Sequence, residues 1–245
     1  GAAFDPGNRV MSAVQVVTLN DALRDRYTAF VNSHPEARFG HDLAWAQTLQ
    51  RAYGVQTRHL VALEGERVVG VCPFFLCQPL VGGMHYVTNP FPTYCGPLYE
   101  SEEVFSALLE AVRSQTAVAH HAEVLTPEPL PAEGTPALPF VDTLDFTYRL
   151  DLTPGLDSVF NSLSRDYKRI LRKTDALNGM ELLVDTDGSQ LDAFHQLYVS
   201  IYAGKHGFIP HGKPLFRAIF RNFPRGAARV YLAKVDGRYV GAMFT

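Results

Sequence analysis

The chain has 245 residues, of which 47% are hydrophobic and 19% charged, and its formal net charge is −3 at pH 7. This is the composition of a globular protein with one large or two small domains, and its weak acidity argues against a protein that coats DNA. Three cysteines without a CxxC or paired-histidine spacing argue against a disulfide framework and a structural zinc site, and the absence of an ~18-residue apolar run or a leader peptide favours a cytoplasmic protein.

Elements of the first half follow from apolar periodicity and from turn residues. Residues 1–13 show no pattern, and we expect a tag or a disordered start there. Asn20 or Asp21 can cap a first helix, and Asp42 can cap a second. Loops rich in proline are expected at 89–98 and 126–139. The predicted strands are 14–19, 59–63, 67–76, 84–88, 121–125 and 140–152, and the predicted helices are 20–33, 43–53 and 102–119.

A strongly basic helix is predicted over residues 164–179, with Ser164 as N-cap and Gly179 as a left-handed stop. Five basic side chains share one face, and apolar side chains at nearly the same spacing share the other, so we expect a helix that is buried on one side. Like-charge pairs on the basic face cost ~0.2–0.5 kcal/mol each, and a bound phosphate or carboxylate would offset that cost. A solvated basic face without a ligand is the competing interpretation. The basic residues are Arg165, Lys168, Arg169, Arg172 and Lys173.

The second half repeats the first. Its predicted elements are strand 180–184, helix 190–203, loop 205–210, helix 214–223 and a hairpin of strands 228–235 and 239–245. HLVALEGERVVGVCPFF (59–75) lines up with VYLAKVDGRYVGAMF (230–244), which places Gly70 and Gly241 at equivalent positions. The first copy continues well beyond Gly70, whereas four residues follow Gly241. We therefore expect the second domain to be incomplete at its C-terminus, or a natural half-domain that a partner chain completes.

These motifs resemble a known family. Strand–helix–helix–hairpin, with acidic-Gly-x-Val-Gly in the hairpin, resembles the GNAT acyltransferase fold. Two such copies joined by a Ser-x-x-x-Lys-Arg-x-x-Arg-Lys helix resemble the FemAB-like proteins, which are peptidoglycan-bridge aminoacyltransferases and related acyltransferases of cell-envelope polysaccharide synthesis. The Pro-Phe-x-x-Tyr-x-Gly-Pro segment (90–97) and the Lys-His-Gly-Phe-Ile-Pro loop (205–210) before a Phe-rich helix are also similar to theirs.

The resemblance implies an α+β fold of two GNAT-like mixed-sheet domains in tandem. Their expected limits are 14–152 and 180–245, the second incomplete, with residues 153–179 as the connecting cationic helical segment. GNAT enzymes bind the acyl-CoA pyrophosphate on a Gln/Arg-x-x-Gly-x-Gly/Ala loop at a helix start. The first copy has NPFPTYCGPL (89–98) at that place, so acyl-CoA and aminoacyl-tRNA both remain candidate donors, without a metal.

An acyl transferase of this kind has to bind an anionic acceptor and an acyl donor together. The sequence shows no Ser-His-Asp order, so we expect direct transfer in a cleft between the copies. The basic helix is expected to bind a diphosphate or a sugar acid of a phosphorylated glycan or peptidoglycan-type precursor. tRNA and a peripheral membrane contact are further expected partners, and DNA is not.

Candidate site residues come partly from the charge pattern and partly from the resemblance. The expected substrate-binding residues are the five basic residues of the helix together with Asn89 and His211, and the expected catalytic residues are Tyr94, Lys205 and His206. The competing interpretations are a core-edge tyrosine for Tyr94 and an exposed polar loop for the other two. Cys95 is read as a packing thiol, with an acyl-carrying thiolate as the minor alternative.

The sequence is compatible with three functions. The first is a FemAB-like N-acyl- or aminoacyltransferase that acts on an anionic cell-wall or exopolysaccharide precursor. The second is a non-catalytic, degenerate GNAT pair that binds anions. The third is a small-molecule acetyltransferase that uses acetyl-CoA.

Overall fold

A computed structural model describes residues 13–78, 82–91, 95–126, 150–175, 179–206 and 209–245, and of residues 205 and 206 the backbone alone. The chain divides into two compact units. Unit 1 comprises residues 1–138 and 211–225, and unit 2 comprises residues 139–210 and 226–245. The expected disordered start and most of the strand predicted over 140–152 lie outside the described residues.

The elements of the described residues follow in chain order. The strands are β1 (Gln15–Thr18), β2 (Gln56–Thr57), β3 (Leu60–Glu64), β4 (Arg67–Cys72), β5 (Phe75–Cys77), β6 (His85–Val87), β7 (Leu98–Tyr99), β8 (His121–Glu123), β9 (Met180–Asp185), β10 (Val230–Val235) and β11 (Arg238–Phe244). The α-helices are α1 (Arg24–Ser33), α2 (Leu43–Tyr53), α3 (Glu102–Gln115), α4 (Leu156–Ser162), α5 (Arg165–Asp175), α6 (Leu191–Ile201) and α7 (Lys213–Asn222).

Side-chain caps fix where the helices of unit 1 begin. Asn20 Oδ1 accepts a hydrogen bond from the Leu23 amide at 3.2 Å and starts a 3₁₀ turn that leads into α1. Asp42 Oδ1 accepts one from the Ala44 amide at 2.7 Å and starts α2. The predicted beginnings of these helices are confirmed, because short polar side chains satisfy amides that have no partner within the helix.

Unit 1 contains two four-stranded sheets. The first has the order β1-β3-β4-β7 with antiparallel pairs, and the second has the order β2-β5-β6-β8, in which β6 and β8 run parallel. α1 packs on one face of the first sheet through Tyr27 and Phe30, and α3 packs on the other through Leu108 and Val112. Pro73 separates β4 from β5, which the sequence predicted as one strand.

A third core cluster joins α2, the second sheet and α7. Trp45 and Leu49 of α2 pack with Phe75 and Val87 of the sheet and with Leu215 of α7. α7 was predicted within the second domain, but its contacts place it in unit 1. The predicted domain limits themselves stay a prediction.

Unit 2 is built on the antiparallel sheet β11-β10-β9. α6 covers one face, with the rings of Phe194 and Phe244 5.6 Å apart. The register of the three strands places Leu182, Val184 and Met243 on the opposite face, and all three are exposed. Within the described residues this face therefore lacks the helix that α3 supplies to the first sheet.

Two glycines at equivalent positions of the repeats, Gly70 and Gly241, also differ in whether a helix packs against them. A Cβ at Gly70 would lie 2.5 Å from Val104 Cγ1 of α3, so that helix sits directly against the Gly70 backbone. A Cβ at Gly241 would meet one neighbour, the Ala233 Cβ, at 3.8 Å. The glycine of the hairpin motif is thus required by packing in the first repeat, and the described residues impose no such requirement in the second.

The basic segment forms a helix as predicted, but its predicted burial is wrong. Ser164 Oγ accepts a hydrogen bond from the Tyr167 amide at 3.4 Å, and Gly179 has a φ of +75°, as expected for the cap and the stop. Tyr167 is 64% exposed and Ile170 54% exposed, and no side chain of α5 is buried. Periodicity finds an apolar face on a helix, but it does not show what covers that face. Among the described helices, none combines the length and the hydropathy that a membrane crossing needs.

Candidate functional site

Three arginines of α5 form one stripe. Arg165, Arg169 and Arg172 lie at i, i+4 and i+7, and together with Asp166 they line a depression of about 410 Å³. Asp166 Oδ1 lies 3.3 Å from Arg169 Nη2. Both side chains are mostly exposed, so this ion pair contributes little to stability, about 0–1 kcal/mol. One carboxylate among three guanidinium groups leaves the depression strongly positive and suited to a phosphate or a carboxylate.

The two lysines of the basic face are placed differently. Lys168 Nζ donates to the Asn161 carbonyl at 2.7 Å and lies 5.9 Å from the centre of the Phe160 ring. It therefore satisfies a carbonyl at the end of α4, where a cation is favourable. Lys173 is exposed and does not line the depression. The five basic residues of the predicted face thus separate into an arginine stripe and two lysines beside it.

Asn89 lies within unit 1 and is 3% exposed. Its Oδ1 accepts a hydrogen bond from Trp45 Nε1 at 3.3 Å and from the Phe91 amide at 3.4 Å. One amide oxygen thereby joins α2 to the proline-rich segment. The assignment of Asn89 to substrate binding stays a prediction, and these two hydrogen bonds are structural ones.

His211 belongs to an aromatic cluster at the surface of unit 1. Its Nδ1 is hydrogen-bonded to the Tyr53 hydroxyl at 3.0 Å, and its ring centre lies 4.7 Å from that of Phe91. Partial burial lowers the pKa of His211, so its imidazole is neutral at pH 7. Phe91 also contacts Trp45 edge-on at 5.8 Å. The structure therefore brings the predicted residues Asn89 and His211 into one cluster through Phe91.

Sequence reasoning missed Tyr53 as a member of this cluster. Its spacing from Trp45 and Leu49 is typical of the apolar stripe of a helix, and Trp45 and Leu49 do form such a stripe on α2. Tyr53, however, lies in the last turn of the helix and is 43% exposed. Its position next to Gly54, which ends α2 in a left-handed conformation with φ +69°, is the signal that could have separated it from the core residues.

The three predicted catalytic residues fall on two separate segments of the chain. Tyr94 lies outside the described residues. Lys205 and His206 end a π-helical turn, Tyr202–His206, that continues α6. The rings of Phe194, Tyr198 and Tyr202 follow one another along the helix into this turn; the first pair is stacked with centres 5.8 Å apart, and the second is tilted with centres 4.4 Å apart. π-Turns within helices occur frequently at functional sites. The catalytic roles of these three residues stay a prediction.

Cys95 has the environment of a packing thiol. It is buried, and burial raises its pKa far above the ordinary value, so that it stays protonated at neutral pH. A Cβ at Gly40 would lie 2.7 Å from its Sγ, which shows how closely the chain packs around it. All three cysteines are free thiols. Among the described side chains, no group of three His, Cys, Asp or Glu residues is arranged to hold a metal ion.

Comparison with known proteins gives a family match and several solved structures of similar fold. Residues 161–245 match the family described as Acetyltransferase (GNAT) domain. The crystal structure of FemX aligns with a TM-score of 0.62 at 19% identity and covers 91% of this chain, which spans 58% of the FemX chain. A tandem GNAT protein from the clavulanic acid biosynthesis pathway, without AcCoA, aligns at 15% identity with a TM-score of 0.44, over 94% of this chain and 73% of its own. No curated protein matches the sequence.

These findings bear on the fold that the sequence predicted. The match to the GNAT family and the fold shared with FemX confirm the tandem GNAT-like architecture and the resemblance to FemAB-like proteins.

Proposed function

We propose that this chain, which has the FemX fold and a GNAT acetyltransferase domain over residues 161–245, is part of an acyltransferase that modifies an anionic glycan precursor. The observation that carries the proposal is the arginine stripe of α5. The precursor is a phosphorylated saccharide or peptidoglycan-type molecule, and its phosphate or carboxylate group binds to Arg165, Arg169 and Arg172. Lys168 and Lys173 flank the stripe and add positive potential.

The charge distribution supports an anionic acceptor. The chain as a whole is weakly acidic, whereas the stripe places three guanidinium groups around one depression. Guanidinium groups present paired N–H donors that match the oxygens of phosphate and carboxylate. A bound dianion would also relieve the repulsion between the arginines, which costs ~0.2–0.5 kcal/mol for each pair of neighbours.

The donor that the family match favours is an acyl-CoA, because GNAT domains use thioester donors of this class. No comparison supports aminoacyl-tRNA as the donor, and it stays the alternative that the transfer assay below tests. In the reaction, the nitrogen of an acceptor amine attacks the thioester carbonyl. An N–C bond forms, the C–S bond breaks, and the proton lost by nitrogen ends on the departing thiolate as free CoA thiol.

Transfer of this kind needs a neutral amine and a donor to the developing oxyanion. We propose Lys205, His206 and Tyr94 for these tasks, with His206 as the group that accepts the amine proton at neutral pH. Asn89 and His211 remain proposed acceptor-binding residues. In that role His211 would act as a neutral imidazole next to Tyr53.

The test measures acceptor binding and transfer in the same preparations. UDP-glucosamine serves as the probe, because it carries both a diphosphate for the stripe and a free amine for transfer, and calorimetry follows its binding at several salt concentrations. The double variant Arg169→Gln/Arg172→Gln should weaken binding about tenfold or more and flatten the salt dependence, because two charge-assisted contacts are lost. Transfer is followed as CoA thiol released and as the mass of the acylated amine.

A matched control carries the same change of charge elsewhere. Arg51 and Arg221 are exposed and lie on α2 and α7 of unit 1, outside the stripe. The variant Arg51→Gln/Arg221→Gln should bind the probe as the unchanged protein does. Equal binding by both double variants would refute the anion site. If the probe binds but no acyl group is transferred from acyl-CoA, the chain is an anion-binding module, and transfer from charged tRNA alone would reverse the assignment of the donor.

A further inference from the structure

A second depression, in unit 1, differs in chemistry from the arginine stripe. It has a volume of about 440 Å³ and lies where α2 ends above the second sheet. We call it the Tyr53 groove. It is lined by Tyr53, Gly54, Val55, Gln56, Leu76, Cys77, Gln78 and His85.

The groove exists because α2 is shorter than the sheet it covers. Trp45 and Leu49 pack over Phe75 and Val87, which are fully or nearly fully buried. The next pair along β5 and β6 is Cys77 opposite His85, and both are half-buried. The left-handed Gly54 turns the chain away at that point, so the helix stops before it reaches this row of the sheet.

The side chains that line the groove carry hydrogen-bonding groups, and none of them belongs to Lys, Arg, Asp or Glu. The carboxamides of Gln56 and Gln78 each offer two donors and one acceptor oxygen. Val55, Leu76 and Cys77 supply apolar surface. A charged ligand would lose hydration here without an opposite charge to replace it, so the lining selects a neutral ligand.

Tyr53 supplies a flat ring that is held in place. Its hydroxyl is bonded to His211 Nδ1, its ring centre lies 5.8 Å from that of Phe91, and 43% of the side chain remains exposed. A ring fixed in this way offers a stacking surface without a large cost in side-chain entropy. The volume lies within the range of small-molecule sites, about 300–1,000 Å³.

We propose that the Tyr53 groove binds an uncharged saccharide, with one sugar ring stacked on Tyr53 and its hydroxyl groups bonded to Gln56 and Gln78. A sugar ring combines an apolar C–H face with a rim of hydroxyl groups, and the groove combines an aromatic face with two carboxamides. An extended peptide added to β2 fits less well, because this edge strand has two residues and offers few backbone groups for pairing. The groove shares no lining residue with the arginine stripe, and the proposal does not depend on acyl transfer.

The test uses N,N′-diacetylchitobiose and cellobiose as neutral probes, with binding followed by NMR titration of the whole chain. We expect saturable binding with millimolar affinity and shifts of the Leu76, Cys77 and His85 amides. Tyr53→Ala should weaken binding about three- to tenfold, and Tyr53→Phe should keep most of it, since stacking needs the ring and not the hydroxyl. Gln78→Ala should also weaken binding, and Gln50→Ala, an exposed glutamine of α2 outside the groove, should not.

Failure of this proposal is distinct from failure of the proposed function. Absence of saturable binding of both saccharides, or equal affinity of the Gln78→Ala and Gln50→Ala variants, would overturn the saccharide site. If Tyr53→Ala does not fold, comparison of saccharide binding by Gln78→Ala and Gln50→Ala still tests the proposal. The variant Arg169→Gln/Arg172→Gln should bind both neutral saccharides as the unchanged protein does. Any loss of anion binding or acyl transfer in this variant therefore concerns the arginine stripe and not the Tyr53 groove.

Discussion

His59 makes the stability of unit 1 depend on pH. Its imidazole is almost fully buried between Tyr27, which stacks on it at 6.0 Å, and Phe75, which meets it edge-on at 5.1 Å. Its Nδ1 accepts a hydrogen bond from the Phe74 amide at 2.9 Å, so the proton of the neutral ring is on Nε2. Protonation would place a second N–H against the Phe74 amide and would bury a charge.

Burial lowers the pKa of His59 from 6.5 to about 4. Between these two pH values the unfolded chain binds a proton that the folded chain does not, so the free energy of unfolding decreases as the pH falls. The contribution of His59 to stability is therefore complete above about pH 6.5 and declines toward pH 4. The loss amounts to about 3 kcal/mol, at 1.36 kcal/mol for each pH unit of pKa difference.

The assay is urea unfolding followed by the fluorescence of Trp45, which is the one tryptophan of the chain and is buried in unit 1. His59→Asn keeps an acceptor for the Phe74 amide but cannot be protonated. Between pH 6.5 and 4.5 the free energy of unfolding should fall more steeply for the unchanged protein than for the variant. His41, whose pKa burial also lowers, adds a decline common to both proteins. Parallel pH profiles, or an NMR titration that finds His59 protonated at pH 6, would refute the reasoning.

Two further predictions concern thiols and glycines. With iodoacetamide at pH 8, Cys77 should react first, because it is half-buried. Burial raises the pKa of Cys72 to about 12 and that of Cys95 further, so these two thiols should react later. Mass spectrometry of the native protein should find one modified thiol at early times, and early labelling of Cys95 would contradict its role as a packing thiol. Gly70→Ala should destabilise unit 1 by about 1–3 kcal/mol, because its Cβ would collide with α3, whereas Gly241→Ala should change stability by less than about 0.5 kcal/mol. Equal effects in thermal unfolding would show that the two repeats are packed alike at this position.

The parts of the fold that could be predicted are those that short stretches of chain decide. Asp42 begins α2 and Gly54 ends it because a cap and a left-handed stop act within one turn. The internal repeat likewise follows from the similar hairpins around Gly70 and Gly241. Spacing along the chain also predicted the helix of the basic segment. The tandem GNAT-like fold was then predicted from the order of the elements.

What could not be predicted depends on which surfaces meet. Periodicity assigned Tyr167 and Ile170 to a buried face, yet both are mostly exposed, because no packing partner in the described residues reaches that side of α5. The same limit hid the Tyr53 cluster. Its ring lies on the apolar stripe of α2, and it becomes a surface feature because the sheet continues past the last turn of the helix.

The two candidate sites differ in how they could be found, and the difference has a physical basis. The arginine stripe lies on one helix, so spacing along the sequence is enough to place Arg165, Arg169 and Arg172 together. The Tyr53 groove is assembled from the end of α2 and from the three strands β2, β5 and β6, including the cross-strand pair of Cys77 and His85. Its members include no Lys, Arg, Asp or Glu and form no sequence motif, so the site is found only once the register of the sheet is known. The two sites can therefore be tested independently: Arg169→Gln/Arg172→Gln should leave binding of the neutral saccharides unchanged, and Gln78→Ala should leave binding of the anionic probe unchanged.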